Sequence, residues 1–237
     1  LIVEKEQSII NFNSKDSFKV IAFFVINGKE FKSDLDISFK NEEEAHLFLE
    51  SCLHADFVVE EVQKKPGKKS PSAPFTTSTL QQEASRKLGF NVTRTMSVAQ
   101  RLYESGKITY MRTDSVNLSD DAIGAAKNEI SNSYGIDYCN PKKYYNKNKS
   151  AQEAHEAIRP TDFSLHFIGD HSPEDKLYQL IWKRAIASQM SDAEVERTKV
   201  TIDVSNNDQK FIANGEVIKF DGFLKVYFEG KDDDSQN

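Results

Sequence analysis

One stretch of the chain gathers side chains that could act on a phosphodiester. It runs from Gly106 to Ser115 and reads Gly-Lys-Ile-Thr-Tyr-Met-Arg-Thr-Asp-Ser. If this stretch is extended, alternation of side chains places Ile108, Tyr110 and Arg112 on one face. A phenol with a pKa of about 10 is a weak nucleophile, and a guanidinium beside it stabilises the charge that builds up on a phosphate under attack. The same spacing also fits a half-buried strand tyrosine next to a surface ion pair.

Other polar residues have two possible roles each. His155 could donate to a phosphate or help proton transfer, or it could be a structural histidine in a polar segment. Glu104 could be a general acid or base, or simply a carboxylate at a helix end. Asp34 and Asp36 resemble a pair of metal ligands but lie in a hairpin without a third acid, which favours a solvent-facing role. No Cys or His pair has the spacing of zinc ligands.

Positive charge is concentrated in one part of an acidic chain. The net charge is −6, yet residues 63–112 contain ten lysines and arginines against two glutamates, a local charge of +8. A basic segment of this kind is typical of phosphate contacts. A solvated lysine linker followed by ordinary helix faces would give the same count.

The composition limits the class of protein. With 237 residues, 38% hydrophobic and 29% charged, the chain suits a soluble globular protein of one large or two ordinary domains. No apolar run reaches the length of about 18 residues that spans a bilayer, and no signal peptide is evident. Cys52 and Cys139 are predicted to be free thiols in a reducing cytosol. The opening, which lacks Met, predicts a piece of a longer protein.

Hydrophobic periodicity predicts strands at both ends of the chain and helices between them. Asn27-Gly28 is a strong hairpin signal between strands at 18–25 and 29–39, and Asn41 is predicted to cap a short helix before a strand at 57–62. The segment 63–74, rich in lysine and proline, indicates a boundary or hinge. Capping and glycine signals then predict helices over these segments: 78–88, 95–105, 119–134, 150 onward and 172–190. A second β-rich region follows from residue 198.

These elements predict an α+β fold in which an all-helical domain carrying Tyr110 is inserted into a discontinuous β-rich domain. The predicted β-rich domain comprises residues 14–70 and 196–230, and the helical domain comprises residues 71–195. Residues 1–13 are predicted to be the end of a helix, and residues 231–237 a disordered acidic tail.

Three long segments, in this order, resemble the signature segments of the type IA DNA topoisomerases, most closely their bacterial topoisomerase I branch. The segments are 73–85, 99–115 and 151–160, and the resemblance continues through 177–182 and 220–223. It implies that the β-rich domain is the arch that opens a gate for strand passage, and that 1–13 belongs to a gate-base domain. It favours catalytic roles for Tyr110, Arg112 and His155 over the structural alternatives.

The resemblance also implies a role for each matched residue. Tyr110 would form a 5′-phosphotyrosyl bond and release a 3′-hydroxyl, Arg112 would stabilise the transition state, and His155 would contact the scissile or adjacent phosphate. Religation would need no ATP because the covalent bond preserves the phosphodiester energy. Six further residues would line the site and the DNA path: Gln100, Glu104, Thr109, Thr113, Asp114 and Arg159.

The chain departs from the family pattern in what it lacks. The family holds Mg²⁺ through an acidic cluster in an N-terminal domain, and that cluster is not found in these residues, so no metal ligand is predicted here. The expected partners are single-stranded or negatively supercoiled DNA and the metal-binding and gate-base domains of the same polypeptide, with no membrane. The isolated piece is expected to be inactive in relaxation, and the expected location is the cytoplasm, at the nucleoid.

Alternative functions make different predictions. A non-catalytic single-stranded DNA-binding module would not depend on the Tyr110 hydroxyl. In a tyrosine recombinase the tyrosine follows its Arg and His partners, whereas Tyr110 precedes His155 and Arg159. Type II topoisomerases place an arginine directly before the tyrosine, where this chain has Thr109.

Overall fold

A computed structural model describes residues 1–145, 155–169 and 171–228, and the chain divides into two compact units. The first, here called the sheet unit, comprises Leu1–Gly67 and Glu196–Val217; the second, the helical unit, comprises Lys68–Val195 and Ile218–Asn237. The predicted α+β class is confirmed. The capping box predicted at 150–153, the start of the segment 151–160 and the tail 231–237 lie outside the described residues.

A single five-stranded sheet contains all the strands in the described part of the chain. The strand order is β1-β2-β5-β4-β3, and β1 pairs antiparallel with β2, which pairs antiparallel with β5. The turn between β1 and β2 is made by Asn27 and Gly28, both with positive φ, which confirms the predicted hairpin. The strands are β1 Phe18–Ile26, β2 Lys29–Phe39, β3 Phe57–Lys69, β4 Ala193–Val204 and β5 Lys210–Phe220.

The sheet unit also contains two helices, α1 Ile2–Ile10 and α2 Glu42–Cys52. Asn41 caps α2 as predicted, because its side chain accepts from the backbone N–H of Glu44 at 2.8 Å. The core beneath α2 is small, and α1 buries none of its residues. Six hydrophobic residues form this core: Val20, Leu35, Phe48, Ile202, Val204 and Phe211.

The described residues of the helical unit form four α-helices: α3 Thr77–Leu88, α4 Val92–Glu104, α5 Asp120–Ser133 and α6 Pro173–Ser188. Eleven of the sixteen residues of α6 are buried, so α6 is the central element of this core. Ser119 and Ser172 cap α5 and α6 through hydrogen bonds from backbone N–H groups, as their sequences predict.

Helix α3 begins earlier than the predicted capping box at Ser78–Gln81. Thr76 is the N-cap, and its hydroxyl accepts from Thr79 N while Thr79 Oγ1 accepts from Thr76 N at 2.9 Å. The box is therefore formed by two threonines whose hydroxyls satisfy each other's backbone N–H groups. A box ending in a glutamate or glutamine is the usual form, so the reciprocal threonines were missed.

The β-rich character predicted for residues 196–230 holds only as far as Phe220. Strand β5 ends there, and a 3₁₀ turn at Gly222–Lys225 follows. Phe223, Leu224 and Tyr227 then pack into the core of the helical unit. Gly222 permits this turn: its φ is +50°, and a Cβ there would lie 2.5 Å from the carbonyl oxygen of Asp192.

Strand β3 also extends further than predicted. It continues to Lys69, into the segment expected to be a linker, and the division between the two units falls between Gly67 and Lys68, inside that segment. No helix in the described residues is long and apolar enough to cross a membrane.

Candidate active site

The stretch around Tyr110 leaves α4 through a tight reversal. Gly106 has a φ of +69°, and Lys107 N donates to Leu102 O at 2.8 Å. Ile108 then pairs with Pro160 and is only 1% exposed. The prediction that Ile108 shares a face with Tyr110 is therefore wrong. The backbone bends between Lys107 and Arg112, and Ile108 is drawn into the core by its pairing with Pro160.

From Tyr110 onward the alternation is strict. Met111, Thr113 and Ser115 are buried, at 1%, 8% and 0% exposure. Between them Tyr110, Arg112 and Asp114 are exposed. The polar and reactive side chains therefore point to solvent while their neighbours attach the backbone to the helical core.

Thr77, at the start of α3, holds this segment through its side chain and its backbone. Its hydroxyl donates towards Met111 O at 2.8 Å and Thr113 O at 3.1 Å and accepts from Thr113 N at 2.8 Å. Its own N–H donates to Thr113 O at 2.9 Å. The first turn of α3 therefore fixes the backbone on both sides of Arg112.

On its other side the segment is held by residues 157–161. The hydroxyl of Thr109 donates to Ala157 O at 2.7 Å and accepts from Arg159 N at 3.0 Å, and Thr109 N donates to Arg159 O at 2.9 Å. Thr161 Oγ1 donates to Gly106 O at 2.7 Å. The segment from Gly106 to Thr113 is thus hydrogen-bonded to two different parts of the chain, Thr77 and residues 157–161.

The side chain of Arg159 is engaged in a polar network. Its Nη2 donates to Glu156 Oε2 at 2.8 Å and its Nη1 to Pro160 O at 3.0 Å, while Ser119 N donates to Glu156 Oε1 at 2.7 Å. Burial acts to raise the pKa of Glu156, but the hydrogen bonds from Ser119 and Arg159 outweigh it, so the pKa is lowered. The Nε of Arg159 is buried without a partner among the described residues.

An open cleft of about 690 Å³ brings several predicted site residues together. Arg112, Thr113, Asp114 and His155 line it, with Val116. Its remaining wall is the start of α3, Thr76–Ser78, whose N-terminal end carries partial positive charge and suits a phosphate. These three residues were not predicted as site residues, although the hydroxyl run at the start of a helix was a usable signal.

Tyr110 is two residues before Arg112 and is not among the residues that line this cleft. Its side chain is 43% exposed, and its ring packs edge-on against Tyr103 with centroids 5.3 Å apart. On the same helix as Tyr103, Gln100 Nε2 donates to Glu104 Oε1 at 2.7 Å. The structure therefore separates the predicted site into three groups: the cleft residues, Tyr110 with the end of α4, and the hydrogen-bonded pair Thr109 and Arg159.

The described residues contain no group of three or more His, Cys, Asp and Glu side chains that could hold a metal ion. The side chains present around the cleft therefore do not fit a Mg²⁺ site, and we assign no chemical step to a metal here.

The sequence and structure were compared with known proteins. The family model described as DNA topoisomerase matches residues 1–237. The chain belongs to this family. Its relatives include proteins named DNA topoisomerase 1: that of Synechocystis sp. is 48% identical over 205 residues, and that of Zymomonas mobilis is 42% identical over 250 residues. The matches cover 84% and 100% of this chain.

A solved topoisomerase structure shares the fold. The full-length topoisomerase I from Thermotoga maritima is 34% identical, with a TM-score of 0.73 over 96% of this chain. The chain spans only part of its relatives: 20% of the Zymomonas protein, 23% of the Synechocystis protein and 40% of the Thermotoga chain.

Proposed function

We propose that this topoisomerase chain supplies the nucleophile for transient cleavage of one DNA strand. Tyr110 would attack the phosphodiester, and the strand would be rejoined after passage of another, relaxing negatively supercoiled DNA without ATP. The observation that supports this most directly is the exposure of Tyr110 and Arg112 on a backbone fixed from both sides. A nucleophile and its charge partner need such fixed geometry because misplacement costs rate steeply.

The proposed cleavage step is a transesterification. The phenol of Tyr110 loses its proton to water, and its Oη bonds to phosphorus as the bond from phosphorus to the 3′ oxygen breaks. The departing 3′ oxygen takes up a proton from water and becomes a hydroxyl. The product is a 5′-phosphotyrosyl bond of similar energy to the phosphodiester, so the reverse reaction rejoins the strand without further energy input.

Arg112 is proposed to stabilise the charge on the non-bridging oxygens during this step. Arg112 is exposed and lines the cleft together with the N-terminal end of α3. His155 is proposed to donate to the scissile or the adjacent phosphate from the same cleft. The first turn of α3 would add backbone dipoles to this anion-binding environment.

The remaining predicted DNA-binding residues fall into two proposed roles. Gln100, Glu104 and Asp114 present exposed or half-exposed polar groups that a strand could contact. Thr113, Thr109 and Arg159 already have hydrogen-bond or packing partners within the chain, so we propose that they act by positioning the tyrosine segment.

The chain is proposed to work with further domains of a longer polypeptide, which would include the metal-binding and gate-base parts. When bound there, Mg²⁺ would supply positive charge near the DNA phosphates. The 237 residues alone are expected not to relax a supercoiled plasmid, since they span a fifth to two fifths of the relatives' lengths. The proposed location is the cytoplasm, at the nucleoid.

The proposal is tested with a chimera in which these residues replace the matching segment of the Thermotoga maritima topoisomerase I. The chimera is mixed with a single-stranded oligonucleotide, denatured, and examined for a protein–DNA adduct. A 3′-end label should move with the protein, because the tyrosine would hold the 5′ phosphate of the downstream fragment. Tyr110→Phe should abolish the adduct, and Tyr103→Phe, which keeps the neighbouring ring, should retain it.

Three outcomes would count against the proposal. An adduct that persists in Tyr110→Phe would remove Tyr110 as the nucleophile. An adduct that carries the 5′-end label would reverse the proposed polarity. A chimera that binds the oligonucleotide without forming any adduct, while the intact Thermotoga enzyme forms one, would favour the non-catalytic single-stranded DNA-binding module.

A further inference from the structure

A second pocket in the helical unit shares no residue with the cleft at Arg112. It has a volume of about 490 Å³ and lies between the end of α3, the exposed stripe of α6 and the last described residues of the chain. Ten residues line it: Lys87, Leu88, His171, Lys176, Gln179, Leu180, Lys183, Val226, Tyr227 and Phe228.

The charge of this pocket is entirely positive among its lining residues. Lys176 and Lys183 are exposed and lie on the same face of α6, seven residues and so about 10 Å apart along the helix axis. Lys87 adds a third cation from α3. None of the described residues that line the pocket is acidic, whereas the chain as a whole carries a net charge of −6.

Lys87 is the least available of the three cations. Burial lowers the pKa of Lys87, Glu83 acts against this, and the nearby charges of Lys183 and Arg184 lower the pKa further. Glu83 lies 3.6 Å from Lys87 Nζ, so Lys87 is already paired in part. Lys176 and Lys183 are therefore the cations best placed to attract an anion from solution.

Aromatic and apolar groups lie among these cations. Lys87 Nζ is 4.0 Å from the centroid of the Tyr227 ring, and Leu88, Leu180 and Val226 supply apolar surface. Phe228 is 60% exposed, so its ring is available to a ligand. Lysines interleaved with an exposed ring suit single-stranded nucleic acid, whose phosphates pair with the cations while a base stacks on the ring.

We propose that this pocket, defined by Lys87, Lys176, Lys183 and Phe228, is a second binding site for single-stranded DNA. Lys176 and Lys183 contact successive parts of the phosphate backbone, and Phe228 stacks on a base. The exposed ring favours nucleic acid over an acidic peptide, which would gain little from it. The inference rests on the proposed function only in taking DNA as the ligand.

The test measures binding of a fluorescent single-stranded oligonucleotide to the 237-residue chain by anisotropy, over a series of salt concentrations. Lys176→Gln with Lys183→Gln should weaken binding about tenfold at low salt. It should also reduce the slope of log K against log salt by about 1.4, since each phosphate contact in a single strand contributes about 0.7. The matched control is Lys19→Gln with Lys127→Gln, which removes the same charge from exposed positions elsewhere.

Phe228 gives an independent measurement. Phe228→Leu should weaken binding about tenfold with no change in the salt slope, because stacking releases no counterions, and Phe228→Trp should restore it. Thermal unfolding of each variant identifies any loss of folding. If the double lysine variant binds like its charge-matched control, or if Phe228→Leu binds like the wild type, the inference is overturned. These variants do not alter Tyr110, so the adduct experiment decides the proposed function separately.

Discussion

The side chains on the two faces of residues 110–115 differ in their exposure to solvent. On one face Met111, Thr113 and Ser115 are buried in or against the helical core. On the other, Tyr110 and Arg112 are exposed to solvent, and Arg112 lines the cleft. One short segment therefore contains both the groups proposed for the chemistry and the groups that hold them still.

This difference separates two kinds of mutational effect. A change on the buried face should reduce the stability of the helical unit and affect cleavage only through folding or positioning. A change on the exposed face should reduce cleavage and leave stability almost unaltered, because surface substitutions usually change stability by less than about 0.5 kcal/mol. The following predictions test whether the two faces are separable in this way.

Met111→Ala should give the largest effect on stability. Met111 is 1% exposed, and truncating a buried Met to Ala costs about 2–5 kcal/mol through lost burial and the cavity that remains. Denaturant unfolding of the 237-residue chain measures it. Met111→Leu, of similar volume, should cost less than about 1.5 kcal/mol. A negligible loss in Met111→Ala would mean that this face does not anchor the segment.

Arg112→Ala should lower the rate of adduct formation in the chimera by about 10²–10³-fold, equivalent to about 2.7–4 kcal/mol of transition-state stabilisation. Arg112→Lys should recover only part of this, because an ammonium lacks the planar fork that binds two phosphate oxygens. The unfolding free energy should stay within about 0.5 kcal/mol of the wild type. An unchanged rate, or a large loss of stability, would contradict the separation of the faces.

Thr77→Val should affect both properties, because Thr77 connects α3 to the buried and exposed faces alike. Removing its hydroxyl leaves Thr113 N–H without that acceptor, which should cost about 1–3 kcal/mol. Adduct formation should also slow as the segment loosens. Thr77→Ser keeps the hydroxyl and serves as the control; equal losses in both variants would point to packing of the methyl group in place of the hydrogen bonds.

Glu156 should give the smallest effect, seen only as a dependence on pH. Its pKa is lowered in the folded chain, below the value of about 4.3 expected when unfolded. The ionised carboxylate therefore contributes stability at neutral pH, and this is lost as the pH falls through the folded pKa. As the pH is lowered from 7 to 3, the unfolding midpoint of Glu156→Gln should fall less steeply than that of the wild type. Identical profiles would show that the network with Arg159 and Ser119 contributes nothing measurable to stability.

Local sequence signals predicted the elements well wherever a short-range rule decides the structure. Asn27 and Gly28 formed the predicted hairpin turn because both residues tolerate positive φ, and Asn41, Ser119 and Ser172 capped the predicted helices. The capping-box pattern did not identify Thr76 as the N-cap of α3, because this box is made by two threonines. Hydrophobic periodicity also predicted a strand after Phe220, where the apolar residues instead pack against the helices.

The sequence by itself determined which residue types stand close to Tyr110, and through three long segments it determined the family. It could not determine which of them meet in space. Ile108 and Tyr110 have the spacing of residues on one face, yet pairing with Pro160, 52 residues later in the chain, buries Ile108 and leaves Tyr110 exposed. Likewise only the tertiary structure brought His155 and the first turn of α3 to Arg112, because such contacts depend on how distant segments pack and not on local preference.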